Sequence, residues 1–281
     1  MRIGLLYTVL RKEEKLIAKA FEKLGVEVVK IDDKASKMRL GKNDFSGLDC
    51  VLVRSISLTH ALFWSSFFES LRIKTVNTYD ALNTCGNKYL TALRLRKDGI
   101  PTPKDVMAFD SSSAMELMEE LGFPCVLKPV TGSWGRMISK INDREAAQAI
   151  LEHRPFLNTP YKSAYYIQEY ISKPGRDIRT LVVGEKVAGA VYRTSSDWKT
   201  NTALGAVAAK CPVTDDIRDL SLKAARAVGG DIVSIDIFES GKSLLVNEVN
   251  GVTEFGKSLE AYGVDIPKEI AKHTVKVASA V

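Results

Sequence analysis

The chain has 281 residues, of which 45% are hydrophobic and 26% are charged. At roughly 150 residues per domain this length favours about two domains, and the composition excludes a disordered or collagen-like chain. No apolar run reaches the roughly 18 residues that cross a bilayer, and charged residues follow the N-terminus too closely for a signal peptide. We therefore expect a cytoplasmic protein that has no membrane partner.

The charged residues comprise 40 basic and 34 acidic side chains, which leaves a net charge of +6. Such an excess speeds encounter with an acidic partner, although a solvated surface explains it equally well. The basic residues are spread along the whole chain instead of clustering with aromatic residues, so we expect no nucleic-acid partner. The nearest two cysteines, Cys50 and Cys85, lie 35 residues apart, which favours reduced core thiols over a zinc site or disulfides.

The first third of the chain alternates strand and helix patterns, which predicts a small parallel α/β layer over residues 1–86. Apolar runs predict strands at 2–7, 26–31, 50–53 and 74–76, and helical patterns cover 13–24 and 63–71. A further helical pattern at 88–97 stops at Gly99 and is followed by Pro101 and Pro103. These breakers predict a domain seam.

The rest of the chain divides into a central unit at 87–170 and a C-terminal unit at 171–281. In the central unit the patterns predict strands at 106–109, 125–129 and 137–141 and helices at 111–121 and 145–153. Strand patterns dominate beyond Tyr165, at 165–171, 178–183, 186–192, 233–238 and 244–249, with helices at 215–228 and 266–280. The fold class is therefore α/β for the first unit and α+β for the other two.

The sharpest cluster of polar residues lies in the last strand pair, around a turn at Gly241 and Lys242. An antiparallel hairpin with this turn sets Asp236 roughly opposite Glu248, and Asn250 shares the face of Glu248. Two carboxylates and an amide on one face form an oxygen-only ligand set that suits Mg²⁺. An ordinary half-exposed strand pair explains the same alternation equally well. As a metal ligand, Asp236 is expected to face the surface.

A second candidate is the segment in which strand residue Lys128 precedes a loop containing Gly132, Ser133, Trp134, Gly135 and Arg136. Glycines let backbone N–H groups approach a phosphate, and the ammonium supplies charge. The loop matches neither the Walker A pattern nor the dinucleotide fingerprint. A hairpin turn containing glycines is the commoner explanation of such a loop taken alone.

Two further segments carry polar residues after strands. The strand that ends in Gln168, Glu169, Tyr170 and Ile171 could present backbone groups to an adenine edge, and a plain strand with a polar turn would look the same. The loop after strand 186–192 contains Arg193, Trp198 and Asn201. Long loops of this kind are often functional, although a packed Ω-loop is the alternative.

Taken in chain order, these segments resemble the ATP-grasp ligases over essentially the whole chain. The resemblance rests on Lys88, Lys128, the loop 132–136, residues 168–171, Asp177, Arg179, Arg193, Asp236, and the string from Asn247 to Asn250. Within that superfamily the chain is similar to the branch that contains the LysX and ArgX enzymes and the ribosomal-protein glutamate ligase. The resemblance implies an ATP-grasp fold of three subdomains, with the nucleotide held between two α+β units.

The resemblance also implies a role for each matched residue. Lys88 and Lys128 would contact the ATP phosphates, the loop 132–136 would cover them, and Gln168, Glu169, Tyr170, Ile171, Asp177 and Arg179 would complete the nucleotide site. Asp236, Glu248 and Asn250 would bind Mg²⁺. Arg193 and Asn201 would act on the acyl phosphate and the incoming amino acid, with Asn158, Thr159, Thr253 and Glu254 also in the substrate site.

The LysX and ArgX enzymes of this branch attach an amino acid to the small acidic amino-group carrier protein LysW, in lysine or arginine biosynthesis. Those that take α-aminoadipate resemble one another in a Gly-Phe pair shortly before the Gln-Glu-Tyr strand, where this chain reads Leu157-Asn158-Thr159-Pro160. Bulkier polar residues there favour glutamate, the shorter amino acid. One methylene contributes only about 1–3 kcal/mol to discrimination, so α-aminoadipate, or both substrates, stays open.

Three further expectations come with this resemblance. A ribosomal-protein glutamate ligase is another alternative, and a nucleotide-binding module without turnover is disfavoured by the complete metal set. Relatives in this branch commonly show an Arg where this chain has Leu204. If that Arg contacts phosphate or carrier elsewhere, another cation has to replace it here. Members of the family are often dimers or tetramers, so we expect a homo-oligomer.

Overall fold

The computed structural model describes residues 1–157, 162–200 and 205–280. Within these ranges the N-terminal layer is a parallel sheet, as the alternating pattern predicts, and its strands lie in the order β2-β1-β3-β4. Its strands are β1 (Arg2–Tyr7), β2 (Glu27–Asp32), β3 (Cys50–Arg54) and β4 (Lys74–Val76), and its helices are α1 (Lys12–Lys23), α2 (Leu58–Ser70) and α3 (Tyr79–Gly86). Helix α2 buries Trp64, Phe67 and Phe68 against the sheet, which fixes the layer.

The central unit is a second sheet, antiparallel and in the order β5-β8-β6-β7. Its elements are β5 (Asp105–Ala108), α5 (Ser111–Leu121), β6 (Cys125–Lys128), β7 (Ser139–Ile141), α6 (Arg144–His153) and β8 (Tyr165–Glu169), and helix α4 (Lys88–Lys97) precedes them. Asp110 and Asp143 cap α5 and α6 by accepting backbone N–H groups of the first turn. Both helices pack on one face of the sheet, so the other face is left for the site.

The C-terminal unit is an antiparallel sheet in the order β11-β10-β9-β12-β13. Its elements are β9 (Arg176–Val183), β10 (Lys186–Thr194), β11 (Val207–Lys210), α7 (Asp215–Ala227), β12 (Ile232–Ser240), β13 (Ser243–Asn250), α8 (Leu259–Tyr262) and α9 (Ile266–Ser279). Neither β11 nor α8 was predicted, because β11 is a mostly exposed edge strand and α8 has only four residues.

Helix α4 packs with the C-terminal sheet. Leu95 and Ile100 belong to the same hydrophobic cluster as Val246 and Val249, and the N–H of Val246 donates to the carbonyl of Pro101 at 2.8 Å. The predicted central unit 87–170 therefore does not correspond to a single packed core. Sequence patterns missed this because they show which helix face is apolar but not which sheet it covers.

Asn77 joins the N-terminal layer to the C-terminal sheet. Its Nδ2 donates to the carbonyls of Ile232 and Gly251, and its Oδ1 accepts the N–H groups of Asp231 and Ile232. The amide is buried and makes four hydrogen bonds, which uses its full capacity. Residues of β1, β3, α1, β9 and α9 share one hydrophobic cluster across this junction, so the two units are packed together.

The four cysteines are all buried and free, as predicted. Burial raises the pKa of Cys50 and of Cys85 to about 12, so these thiols are protonated at neutral pH and unreactive. None of the helices in the described part of the chain combines the length and apolar character that a membrane crossing requires.

Candidate active site

A cavity of about 760 Å³ lies where the three units meet, and most of the predicted site residues line it. Its wall includes Lys88, Lys128, Gly132, Ser133, Trp134, Gly135, Arg136, Gln168, Glu169, Tyr170, Ile171, Asp177, Arg179, Arg193, Asp236, Glu248, Asn250 and Glu254. Thr253 is buried beside it, and its carbonyl accepts from Arg54. Asn158, Thr159, Asn201 and Leu204 lie outside the described residues.

Lys128 stands at the end of β6 and joins the central sheet to the C-terminal sheet. Its ammonium donates to Gln168 Oε1 at 2.6 Å and to Asn247 Oδ1 at 2.9 Å. Both acceptors are neutral amides, so one N–H and the positive charge remain for a ligand. Burial lowers the pKa of Lys128 to about 8, although the nearby Glu248 carboxylate opposes the shift. Gln168, predicted to complete the nucleotide site, contacts Lys128 through its side-chain oxygen.

Lys88 occupies the first turn of α4, where the side chain of Asn87 caps the helix. Its ammonium donates to the carbonyl of Gly132 at 2.8 Å and to Glu248 Oε1 at 3.1 Å. Lys88 therefore connects the glycine-rich loop to one of the predicted metal ligands. A phosphate group held at this point would contact the loop and the Lys88 ammonium, and it would lie beside any metal that Glu248 binds.

The floor of the cavity is a buried network of alternating charges on three adjacent strands. In the strand register Arg193 faces Asp177, and Arg179 faces Asp236. Each pair is bidentate, with N–O distances of 2.6–2.7 Å for Arg193–Asp177 and 2.7–2.8 Å for Arg179–Asp236. Arg193 also lies 3.0 Å from Asp236, which links the two pairs. Lys173 and Thr200 contact Asp177 at Oδ2, the oxygen that also accepts from Arg193 Nη2.

This network corrects the prediction that Asp236 faces the surface. The residue is 2% exposed, because Arg179 and Arg193 cover it from the neighbouring strands. Burial alone would raise the pKa of Asp236, but the two guanidinium groups outweigh it and hold that pKa well below its ordinary value. Asp177 and Arg179, predicted to bind the nucleotide, form part of the same floor.

The predicted magnesium ligands meet on one face of the β12–β13 hairpin. Asp236 lies directly opposite Glu248, as the position of the turn predicts, and Asn250 follows on the same strand. The donor set is oxygen-rich and lines the cavity, so it fits Mg²⁺ in chemistry and position. Asp236 already accepts from two guanidinium groups. Among the described residues only one oxygen of Glu248 accepts a hydrogen bond, from Lys88. Glu248 is therefore the ligand that an incoming cation would reach most easily.

The glycine-rich loop is folded over the cavity and held by Glu254. The indole N–H of Trp134 donates to Glu254 Oε2 at 3.0 Å, and Arg11, before α1, forms an ion pair with the other oxygen. Trp134 has a φ of +62°, and Gly132 and Gly135 also have positive φ values. The loop therefore takes a conformation that glycines make accessible. Glu254 contacts this loop and also lines the cavity, and its role in the substrate site stays a prediction.

The segment after β8 forms another wall. The N–H of Lys104 donates to Glu169 Oε1 at 2.7 Å, so this carboxylate is bound to backbone. Tyr170 and Ile171 follow the last paired residue, which leaves their backbone groups outside the β8 ladder. Lys140 lies 3.9 Å from the centre of the Tyr170 ring, and Trp198 packs against its edge. This flat, partly apolar wall stays the predicted place for adenine.

Asn247, Lys173 and Arg11 are among the residues of the cavity wall to which sequence reasoning gave no role. Asn247 was missed because a bulge beside Asp236 interrupts the strict alternation of β13 and lets neighbouring residues 247 and 248 reach the same cavity. Lys173 belongs to the polar string after β8, but its contact with Asp177 depends on tertiary packing. Arg11 lies in a different unit, so no local pattern pointed to it.

Comparison with known proteins bears on this cavity. Residues 85–274 match the RimK-like ATP-grasp domain, and residues 3–84 match the LysX preATP-grasp domain. The chain belongs to the RimK-like ATP-grasp family. The chain is 36% identical to the glutamate–LysW ligase ArgX of Sulfolobus acidocaldarius, over 97% of this chain and 98% of the relative. It is 38% identical to the alpha-aminoadipate–LysW ligase LysX of Saccharolobus solfataricus, over 92% and 95%.

The fold of this ATP-grasp ligase has a counterpart among solved structures. The RimK domain ATP-grasp protein from Sphaerobacter thermophilus superposes with a TM-score of 0.83, covering 98% of this chain and all of that one, at 24% identity. This superposition confirms the predicted ATP-grasp fold, and the family match and the two relatives confirm the resemblance to this branch. The chain is an ATP-dependent carboxylate–amine ligase by family, and the roles of individual residues stay predictions.

The charge network of this ATP-grasp ligase is tested by Asp236→Asn, which keeps the shape of the side chain and removes its charge. We expect a loss of about 3–5 kcal/mol in the free energy of unfolding, because a buried guanidinium is left without its counter-charge. Urea titration measures the loss. The matched control is Glu239→Gln, which breaks a partly exposed pair with Arg176 and should cost less than about 1 kcal/mol. Equal losses in both variants would contradict the network.

The lowered pKa of Lys128 predicts a pH dependence of nucleotide binding. Phosphate oxygens bind the charged ammonium, which is present below pH 8 and lost above it. We expect the dissociation constant for ATP to rise by up to about tenfold between about pH 7 and pH 9, as most of the charged form disappears. Calorimetric titration of Lys128→Met serves as control, with weaker and nearly pH-independent binding expected. A parallel pH dependence in both proteins would show that another group is responsible.

Proposed function

We propose that this ligase joins the α-amino group of glutamate to the γ-carboxylate of the terminal glutamate of the acidic carrier protein LysW, using ATP and Mg²⁺. One observation carries the proposal. Two ammonium groups, Lys88 and Lys128, line the same cavity as the predicted metal ligands Asp236, Glu248 and Asn250. This combination suits transfer of a phosphoryl group, in which catalysis is mostly positioning and neutralisation of charge.

The proposed reaction has two steps. A carboxylate oxygen attacks the γ-phosphorus of ATP and ADP leaves, which gives an acyl phosphate. The amine then attacks the acyl carbon, the bond to phosphate breaks, and the amine loses its proton. Bound Mg²⁺ would neutralise charge on the transferring phosphoryl group.

The chain's own residues divide this work between them. Lys128 keeps its charge for the phosphates because its two partners are neutral amides. Arg193 is fixed through Nε and Nη2 on Asp177, which leaves Nη1 without an acceptor among the described residues. We assign Nη1 to the acyl phosphate. The loop held by Trp134 and Glu254 would exclude water, which otherwise hydrolyses that intermediate.

The preference for glutamate rests on the segment Leu157-Asn158-Thr159-Pro160. Polar side chains there would shorten the amino-acid pocket and offer hydrogen bonds, which favours the amino acid with one methylene fewer. The two relatives differ in the amino acid that their names give and are similarly close in identity, so overall similarity does not separate the alternatives. α-Aminoadipate is therefore the second candidate substrate.

Mass spectrometry of LysW tests the proposal directly. The purified chain is incubated with ATP, Mg²⁺, LysW and either glutamate or α-aminoadipate. We expect the carrier to gain one glutamate residue faster than it gains one α-aminoadipate residue. In Glu248→Gln we expect ligation to fall at least about 100-fold, because a ligand of the charge-neutralising cation is lost. Glu239→Gln, on the same hairpin, is the matched control and should ligate normally.

Two results would contradict parts of this account. Equal or faster ligation of α-aminoadipate would overturn the preference for glutamate. Normal ligation by Glu248→Gln would overturn the metal assignment.

The excess of positive charge also predicts that the encounter with acidic LysW slows as salt is added, since screening weakens electrostatic steering.

A further inference from the structure

Two buried donors on the cavity floor have no partner within the part of the chain that the structure describes. The hydroxyl of Ser234 and the Nδ2 of Asn250 are both shielded from water and make no hydrogen bond with the described residues. Ser234 is 0% exposed, yet it forms part of the cavity wall. Buried polar groups are nearly always hydrogen-bonded, so an unbonded pair at a cavity points to a missing ligand.

The two groups face each other across the hairpin. Ser234 and Asn250 are directly opposite in the β12–β13 register, which places their Cβ atoms about 5 Å apart. Asn250 is one of the predicted magnesium ligands, but only an amide oxygen binds a cation. Its orphaned Nδ2 is a donor and needs an acceptor. A cation at Oδ1 and an acceptor at Nδ2 can therefore be bound together.

The place of this pair on the floor identifies the acceptor. Along β12 the residues that line the cavity are Phe238, Asp236 and Ser234. The ring of Phe238 lies under Lys173. Lys173 belongs to the polar string after Ile171, so Phe238 lies on the side of the cavity predicted for adenine. Asp236 and Glu248 occupy the middle, where the phosphates are expected. The Ser234–Asn250 pair lies about 7 Å further along the strand, beyond the predicted phosphate position.

We propose that Ser234 Oγ and Asn250 Nδ2 donate hydrogen bonds to the carboxylate that the enzyme activates, the γ-carboxylate of the terminal glutamate of the carrier. This inference rests on the proposed function and adds a substrate contact to it. A carboxylate has two acceptor oxygens, which match two donors on one rung. Both donors are neutral, so they orient the carboxylate towards the γ-phosphorus without forming an ion pair with it.

Ser234→Ala tests the inference through two readouts that move independently. The hydroxyl has no partner among the described residues, so its removal should leave the melting temperature unchanged or raise it. The KM for LysW should rise about tenfold, as expected for a lost hydrogen bond to a charged group, while the KM for ATP stays within about twofold. A structural role alone would not produce this split.

Thr180→Val is the matched control. Thr180 is also fully buried on the same sheet, on the neighbouring strand β9, and its hydroxyl lies 2.9 Å from that of Ser221. Removing this bonded hydroxyl should lower the melting temperature and leave the KM for LysW unchanged. If Ser234→Ala behaves like this control, with a lower melting temperature and an unchanged KM for LysW, the inference is overturned.

A binding measurement separates failure of this inference from failure of the proposed function. Wild type and Ser234→Ala are titrated with a peptide ending in glutamate, in the presence of ADP and Mg²⁺, and thermal stabilisation is followed. A higher midpoint in the variant supports the Ser234 contact, even if wild type fails to ligate LysW and the proposed function is wrong. Equal midpoints, or no stabilisation of wild type by the peptide, would overturn the contact even if ligation succeeds.

Discussion

The buried ion pairs of Arg179 with Asp236 and of Arg193 with Asp177 determine the shape of the site. Each pair joins residues directly opposite in adjacent strands, so the pairing follows from the register of the C-terminal sheet. Buried charges of this kind cost free energy of desolvation, and a well-packed apolar floor would be as stable or more so. Their presence is therefore best explained by the ligand. The two ion pairs place the guanidinium groups of Arg179 and Arg193 beneath the predicted position of the phosphates, and the bidentate hydrogen bonds fix their orientation.

The cations above this floor are held in different ways, and the difference has a consequence. Lys128 is bound by the amide oxygens of Gln168 and Asn247, which are neutral acceptors. Lys88 is bound by a backbone carbonyl and by Glu248. A ligand that brings both negative charge and a cation would suit this arrangement, since Glu248 could hold the cation and the Lys88 ammonium could then donate to phosphate. Nucleotide and metal are thus expected to bind together.

Much of the fold and part of the site could be predicted from the sequence because they depend on local order. The turn at Gly241 brings Asp236 to within one residue of Glu248, the bulge beside Asp236 completes their pairing, and alternation gives the parallel N-terminal layer. The burial of Asp236 could not be predicted, since it depends on Arg179 and Arg193 from other strands. Asn247 was missed for a related reason, because the bulge that turns it to the cavity has no marker in the local pattern.

Replacing one ion pair of the floor by apolar residues tests most directly whether the charges serve the ligand. Arg179→Met and Asp236→Leu are made singly and together, and unfolding by urea and titration with ATP are measured. Each single change should destabilise the protein, and the double change should recover about 0.5–3 kcal/mol of the summed loss, because neither charge is then left unpaired. The account predicts a refolded double variant that binds ATP at least about tenfold more weakly. A double variant that binds ATP as wild type does would contradict it.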